Sequence, residues 1–114
     1  MTNKFTYNAR QVVSGAILSA KELGHTYVGS EHLLLGITGL PDCTAAKLLK
    51  SAGVESDSVR EQIISLAGRG TKTGGGEDMT PKCRKILMKA SRISHDAGED
   101  VIGSEHILQA LLTE

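Results

Sequence analysis

The segment GSEHLLLGIT, Gly29 to Thr38, returns as GSEHILQALL, Gly103 to Leu112, at a constant offset of 74 positions. Extending the offset towards the N-terminus pairs Thr6 with Thr80, Arg10 with Arg84, Ala16 with Ala90 and Gly24 with Gly98, without a gap. Apolar positions pair as well: Val12 with Ile86, Val13 with Leu87, Val28 with Ile102 and Leu33 with Ile107. An ungapped internal duplication makes the chain two copies of one unit, so a site formed by one copy is expected twice.

The unit is helical. From Tyr7 onward, Val12, Val13, Ala16, Ile17, Ala20 and Leu23 recur at the spacing of one helix face, with Thr6 as N-cap and Gly24 as terminator. Ser30 is expected to cap a second helix carrying Leu33, Leu34 and Ile37. A third, starting near Asp42 or Thr44, is expected to bury Ala45, Leu48, Leu49 and Ala52 and to stop at Gly53. The fourth follows Ser56 with Val59, Ile63 and Leu66 inward and closes at Gly68. Thr80-Pro81 then opens a fifth helix, cap hydroxyl followed by proline at N1, with Ile86, Leu87, Ala90 and Ile93 inward as far as Gly98. Ser104 is expected to cap the sixth, with Ile107, Leu108, Leu111 and Leu112. The triplets TYV and DVI before each GSEH read as short extended links, and no segment alternates with period two, so the fold class is all-α. The expected organisation is a four-helix repeat over 1–68, a Gly-rich connector over 69–79, and an incomplete two-helix repeat over 80–114, together one domain. Nothing in the second copy answers helices three and four, which suggests a piece of something longer.

At 114 residues the chain bounds one modest core. Phe5, Tyr7 and Tyr27 are its only aromatic residues, which argues against nucleic-acid modules that stack bases. Thirteen basic and thirteen acidic residues cancel, so no global field draws the chain to nucleic acid or anionic lipid. No apolar run approaches a membrane span, and the N-terminus does not read as a secretory signal. Cys43 and Cys83 match no zinc pattern and read as idle thiols of a reducing cytoplasm.

Glu31 and Glu105 follow the capping serines, which places them at N1. Two readings stand side by side: stabilisation by the helix dipole, or a solvent-facing carboxylate that accepts a guanidinium in bidentate fashion. His32 and His106 come next, but adjacent residues point in different directions, so structural histidines are expected rather than metal ligands. His25 and His95 need only their places near helix ends. No acid pair, triad or metal cluster of suitable spacing appears, so no catalytic residue is expected.

The pattern FTYNARQVVSGAILSAKELGHTYVGSEHLLLGI, repeated as MTPKCRKILMKASRISHDAGEDVIGSEHILQALL and joined by AAKLLKSAGV, resembles the double Clp-N motif of the Clp ATPases, most closely the ClpC type. The resemblance implies a pseudo-two-fold pair of helical repeats that sits on a linker above a hexameric ATPase ring feeding a peptidase. It implies a receptor for adaptors and protein substrates in quality control and stress response, or else a freestanding accessory protein that modulates such a machine. The chain has no GxxxxGK[ST] pattern, so ATP would belong to the parent's other domains. The resemblance also implies that Glu31 and Glu105 recognise phosphorylated arginine, with phosphate donors at the helix starts near Thr6 and Thr80 and help from Arg10 and Arg84. Phe5 and Met79, just before those threonines, either staple their helices or belong to an apolar groove used by adaptors.

Overall fold

The computed structural model describes residues 4–67 and 78–114. In chain order the elements are β1 (Lys4–Phe5), α1 (Tyr7–Glu22), α2 (Ser30–Thr38), α3 (Thr44–Ser51), α4 (Ser56–Ala67), α5 (Pro81–Asp96), β2 (Val101–Ile102) and α6 (Ser104–Thr113). The helical duplication is as expected. Most of the 69–79 connector, and Gly68 as the closing residue of α4, lie outside the described residues.

Caps explain where α1 and α5 begin. The Thr6 hydroxyl accepts from the Ala9 amide at 3.1 Å, and the Thr80 hydroxyl accepts from the Cys83 amide at 3.1 Å. Both helices end at a glycine in the left-handed region, Gly24 at φ 71° and Gly98 at φ 76°. Thr80→Ala removes one acceptor from an otherwise orphaned amide. It is expected to cost about 1 kcal/mol in urea unfolding, and Thr6→Ala about the same, because the two caps are geometric equivalents.

The extended links do more than connect. β1 and β2 pair in parallel with Lys4 opposite Val101 and Phe5 opposite Ile102, and Val28 forms a parallel bridge with Met79. The second pairing is the first with its residues exchanged across the 74-residue offset. Backbone bonds repeat the exchange: the Thr6 N–H donates to the Ile102 carbonyl at 2.9 Å and the Thr80 N–H to the Val28 carbonyl at 3.0 Å. Each repeat therefore leads in against the link of the other. The start of α1 is tied beside the start of α6, and the start of α5 beside that of α2.

Within repeats, α1 packs on α2 and α5 on α6. The α1–α2 crossing is backbone to backbone: a Cβ on Gly15 would stand 3.3 Å from Cα of Gly36. Both repeats share one core, with Val12, Leu33 and Ile37 of the first in the same cluster as Ile86, Ile107 and Ala110 of the second. A smaller cluster of Leu23, Leu35, Val59 and Ile63 seats α4.

Several expected inward residues point out. Leu48, Leu66 and Leu112 are exposed by 53%, 85% and 71%, and Ala52 is exposed too. The buried stripes are narrower than periodicity suggests. The eight-residue α3 turns Ala45, Ala46 and Leu49 inward, and α4 is anchored through Val59 and Ile63, leaving Leu66 beyond the contact. The serine caps are also corrected. Gly29 and Gly103 are the N-caps of α2 and α6, Ser30 and Ser104 are N1, and the glutamates are therefore N2. The Ser104 hydroxyl serves elsewhere, accepting from the Ala45 amide at 3.3 Å and so joining α6 to α3.

Candidate functional site

With glycine as N-cap, no cap side chain is available, and the histidine at N3 supplies the other half of a capping box, an acceptor for the N-cap amide. His32 Nδ1 accepts the Gly29 N–H at 2.8 Å, and His106 Nδ1 accepts the Gly103 N–H at 2.8 Å. An amide only donates, so both rings are held with Nδ1 bare and the proton on Nε2. His32 Nε2 then donates to His25 Nδ1 at 2.8 Å. At the equivalent place His106 Nε2 donates to Glu99, 2.8 Å away. His25 and Glu99 occupy the same position across the offset. His25 is accordingly a buried network member, not the helix-end ornament expected from its position, and Tyr27 stacks on it with centroids 5.4 Å apart. His95 is exposed in the last turn of α5.

Burial pushes the pKa of His32 below the ordinary histidine value, against an opposing pull from Glu31 and with His25 adding to the depression. Burial also raises Tyr27, whose hydroxyl donates to the Glu31 carboxylate, and that negative charge raises it further. Cys83 is raised first by burial and next by Glu31, with Arg84 opposing. Cys83 stands at N3 of α5, so the charge of Glu31 acts across the junction between the repeats.

Both glutamate side chains fold back over their own N-cap glycines, where a Cβ would collide with them. The dipole interaction is thus realised in both. Beyond that the two differ. Glu31 keeps 34% of its side chain exposed and borders an apolar hollow of about 330 Å³ with Leu34, Val59, Ile63 and Leu66. Glu105 is exposed and lines a cavity of about 310 Å³ with Thr6, Tyr7, Asn8, Thr44 and Glu99. Thr6 and Glu105, singled out separately in the sequence, meet here from opposite repeats. Thr80 stands in the corresponding relation to the Glu31 junction through its bond to Val28.

Phe5 and Met79 are partly buried against the shared core, carry the strand pairings, and line neither cavity. Arg10 and Arg84 are exposed one turn into α1 and α5 and also line neither. Sequence reasoning missed Glu99, Asn8 and Thr44. The signal for Glu99 was available: the offset sets it against a histidine.

The duplicated helical unit, swapped at its leading strands and presenting carboxylates at helix starts, defines a class of paired-repeat helical domain. The Clp repeat (R) N-terminal domain model matches residues 4–114, and the chain belongs to that family. It is 33% identical over 114 residues to the negative regulator of genetic competence ClpC/MecB of Bacillus subtilis (strain 168), covering 100% of this chain and 14% of that protein. Among solved structures, the N-terminal domain of the caseinolytic protease associated chaperone ClpD from Arabidopsis thaliana superposes with a TM-score of 0.81 at 24% identity. That match covers 96% of this chain and 76% of ClpD's. A ClpV N-domain in complex with VipB peptide superposes at 0.77 and 24% identity, covering 97% and 69% of the respective chains. These structures are similar in fold. No helix among the described residues is long and apolar enough to cross a membrane.

Proposed function

We propose that this chain is a receptor domain that docks adaptors and marked protein substrates for a Clp-type ATPase ring and its peptidase, with arginine, and phosphoarginine in particular, as the recognised group. One observation carries the reading. Glu105 is accessible and shares an open cavity with the start of α1, contributed by the other repeat. A carboxylate there accepts a guanidinium through two charge-assisted hydrogen bonds. A phosphoryl group on that guanidinium would need donors of its own. At the start of α1 the Ala9 amide is taken by Thr6, which leaves the first-turn amides of Tyr7 and Asn8 and the positive dipole end. At the other junction the Thr80 N–H donates to the Val28 carbonyl, which brings the start of α5 beside that of α2, where Glu31 lies. The family membership supports a docking role, as does the peptide seated on the ClpV N-domain, a protein of the same fold.

Calorimetry with free phosphoarginine tests this. The double substitution Glu31→Ala/Glu105→Ala is expected to weaken binding at least tenfold, since hydrogen bonds between charged partners contribute about 1.5–3 kcal/mol each. Affinity that survives the double substitution removes these residues from recognition.

A further inference from the structure

The two junctions are built on one plan but carry different charges. The Glu105 cavity is lined by a second carboxylate, Glu99, and, among the described residues, by His106 but by no lysine or arginine. Glu99 is half-exposed and hydrogen-bonded to His106 Nε2 at 2.8 Å. The Gly103 N–H occupies Nδ1 of that histidine at 2.8 Å, so the ring meets Glu99 through Nε2 alone. At the Glu31 junction the position of Glu99 is held by the buried His25, which carries no carboxylate. A second position differs in the same sense. Asn8, on the wall of the Glu105 cavity, is equivalent across the offset to Lys82, exposed on the first turn of α5. Two differences run the other way: Tyr7 brings an amide where Pro81 has none, and Lys4 stands where the other junction has Asp78, although Lys4 does not line the Glu105 cavity.

We infer that Glu99 is a specificity-determining residue, and that the Glu105 site selects the unmodified, cationic guanidinium of arginine over its phosphorylated form, relative to the Glu31 site. This deepens the docking reading and rests on it. A guanidinium between Glu99 and Glu105 is held by both carboxylates, whereas a phosphoryl group delivered to the same cavity meets Glu99 as a like charge. At the Glu31 junction the glutamate is engaged by Tyr27 and Lys82 stands on the first turn of the neighbouring α5, which suits the zwitterionic phosphoguanidine. One chain would then read two forms of the same residue.

The test isolates one site. In the Glu31→Ala background, calorimetry measures the affinity of a peptide with a single arginine and of the same peptide phosphorylated on that arginine. Glu99→Gln keeps an acceptor for His106 Nε2 and removes only the charge. It is expected to shift the ratio of the two affinities about tenfold towards the phosphorylated peptide, because it weakens one ligand and relieves the other. Asn8→Lys, at an exposed position, is expected to shift the ratio in the same direction, and keeps the test available if Glu99→Gln unfolds. A ratio unchanged within about twofold in both variants, with Glu105-dependent binding intact, overturns the inference alone. If neither peptide binds in the Glu31→Ala background, the docking reading of this site falls with it.

Discussion

Replacing Gly36 with alanine is expected to remove about 2–3 kcal/mol of folding stability, the upper part of the range for overpacked cores, read as a shift in the urea midpoint at unchanged slope. Gly36 is buried where α1 and α2 cross. A Cβ there would run into the Val12 carbonyl oxygen and stand 3.0 Å from the Ala16 amide nitrogen. Both obstacles are backbone, so no rotamer change relieves them, and the helices would have to separate along their whole contact. The second repeat supplies the control. Ala110 is its counterpart and is fully buried, and Lys89 takes the position that Gly15 has in the first repeat. That crossing already accommodates a methyl group. Ala110→Gly is therefore expected to cost about 1 kcal/mol, through backbone entropy and a lost methyl contact, rather than to restore anything. Equal losses at the two positions would mean that the crossings do not differ as described.

Stability is also expected to fall on acidification through the histidine range, with His32 as a principal cause. The folded protein holds this ring neutral, its pKa below the ordinary value of 6.5 because of burial, while the unfolded chain takes up the proton at about that value. Between the two the unfolded state binds more protons, so stability rises with pH through this window, is complete above about 6.5, and is lost below it. The nearby charge of Glu31 works against the effect, and His25 works with it. His32→Gln keeps an acceptor for the Gly29 amide but does not titrate, and is expected to flatten the rise in melting temperature between about pH 5 and 7. His32→Ala deletes the cap acceptor, the donor to His25 and a fully buried ring together. A loss of about 3–4 kcal/mol is expected, larger than for a cap alone. If the pH profile of His32→Gln overlays that of the parent, the titrating group is another histidine.

What could be read along the chain, and what could not, divides by range. Thr6 and Thr80 are legible as caps because the bond each accepts comes from three residues away. Gly24 and Gly98 are legible because a left-handed residue after an amphipathic stripe is a local requirement. Ser30 and Ser104 misled for the same reason: a serine before a helix resembles a cap, and nothing nearby announces that a histidine at N3 has taken the role. Leu48 and Leu66 misled because periodicity gives the direction of a stripe but not its width, which depends on what packs against it. Glu31 and Glu105 could be singled out as a pair, yet their different surroundings lie in Tyr27, His25 and Glu99, whose contacts span an irregular link of up to seven residues and follow no helix or cap spacing.

The duplication, the helix positions, their caps and the all-α class are properties of neighbours in the chain, set by periodicity, backbone preference and bonds spanning a few residues. The exchange between repeats is of another kind. Two-residue strands carry no side-chain signature, and their pairing is specified by backbone bonds between residues far apart, Thr6 with Ile102 and Thr80 with Val28. That exchange brings the start of α1 to Glu105 rather than to Glu31, and with it settles which groups share a cavity and what charge that cavity presents.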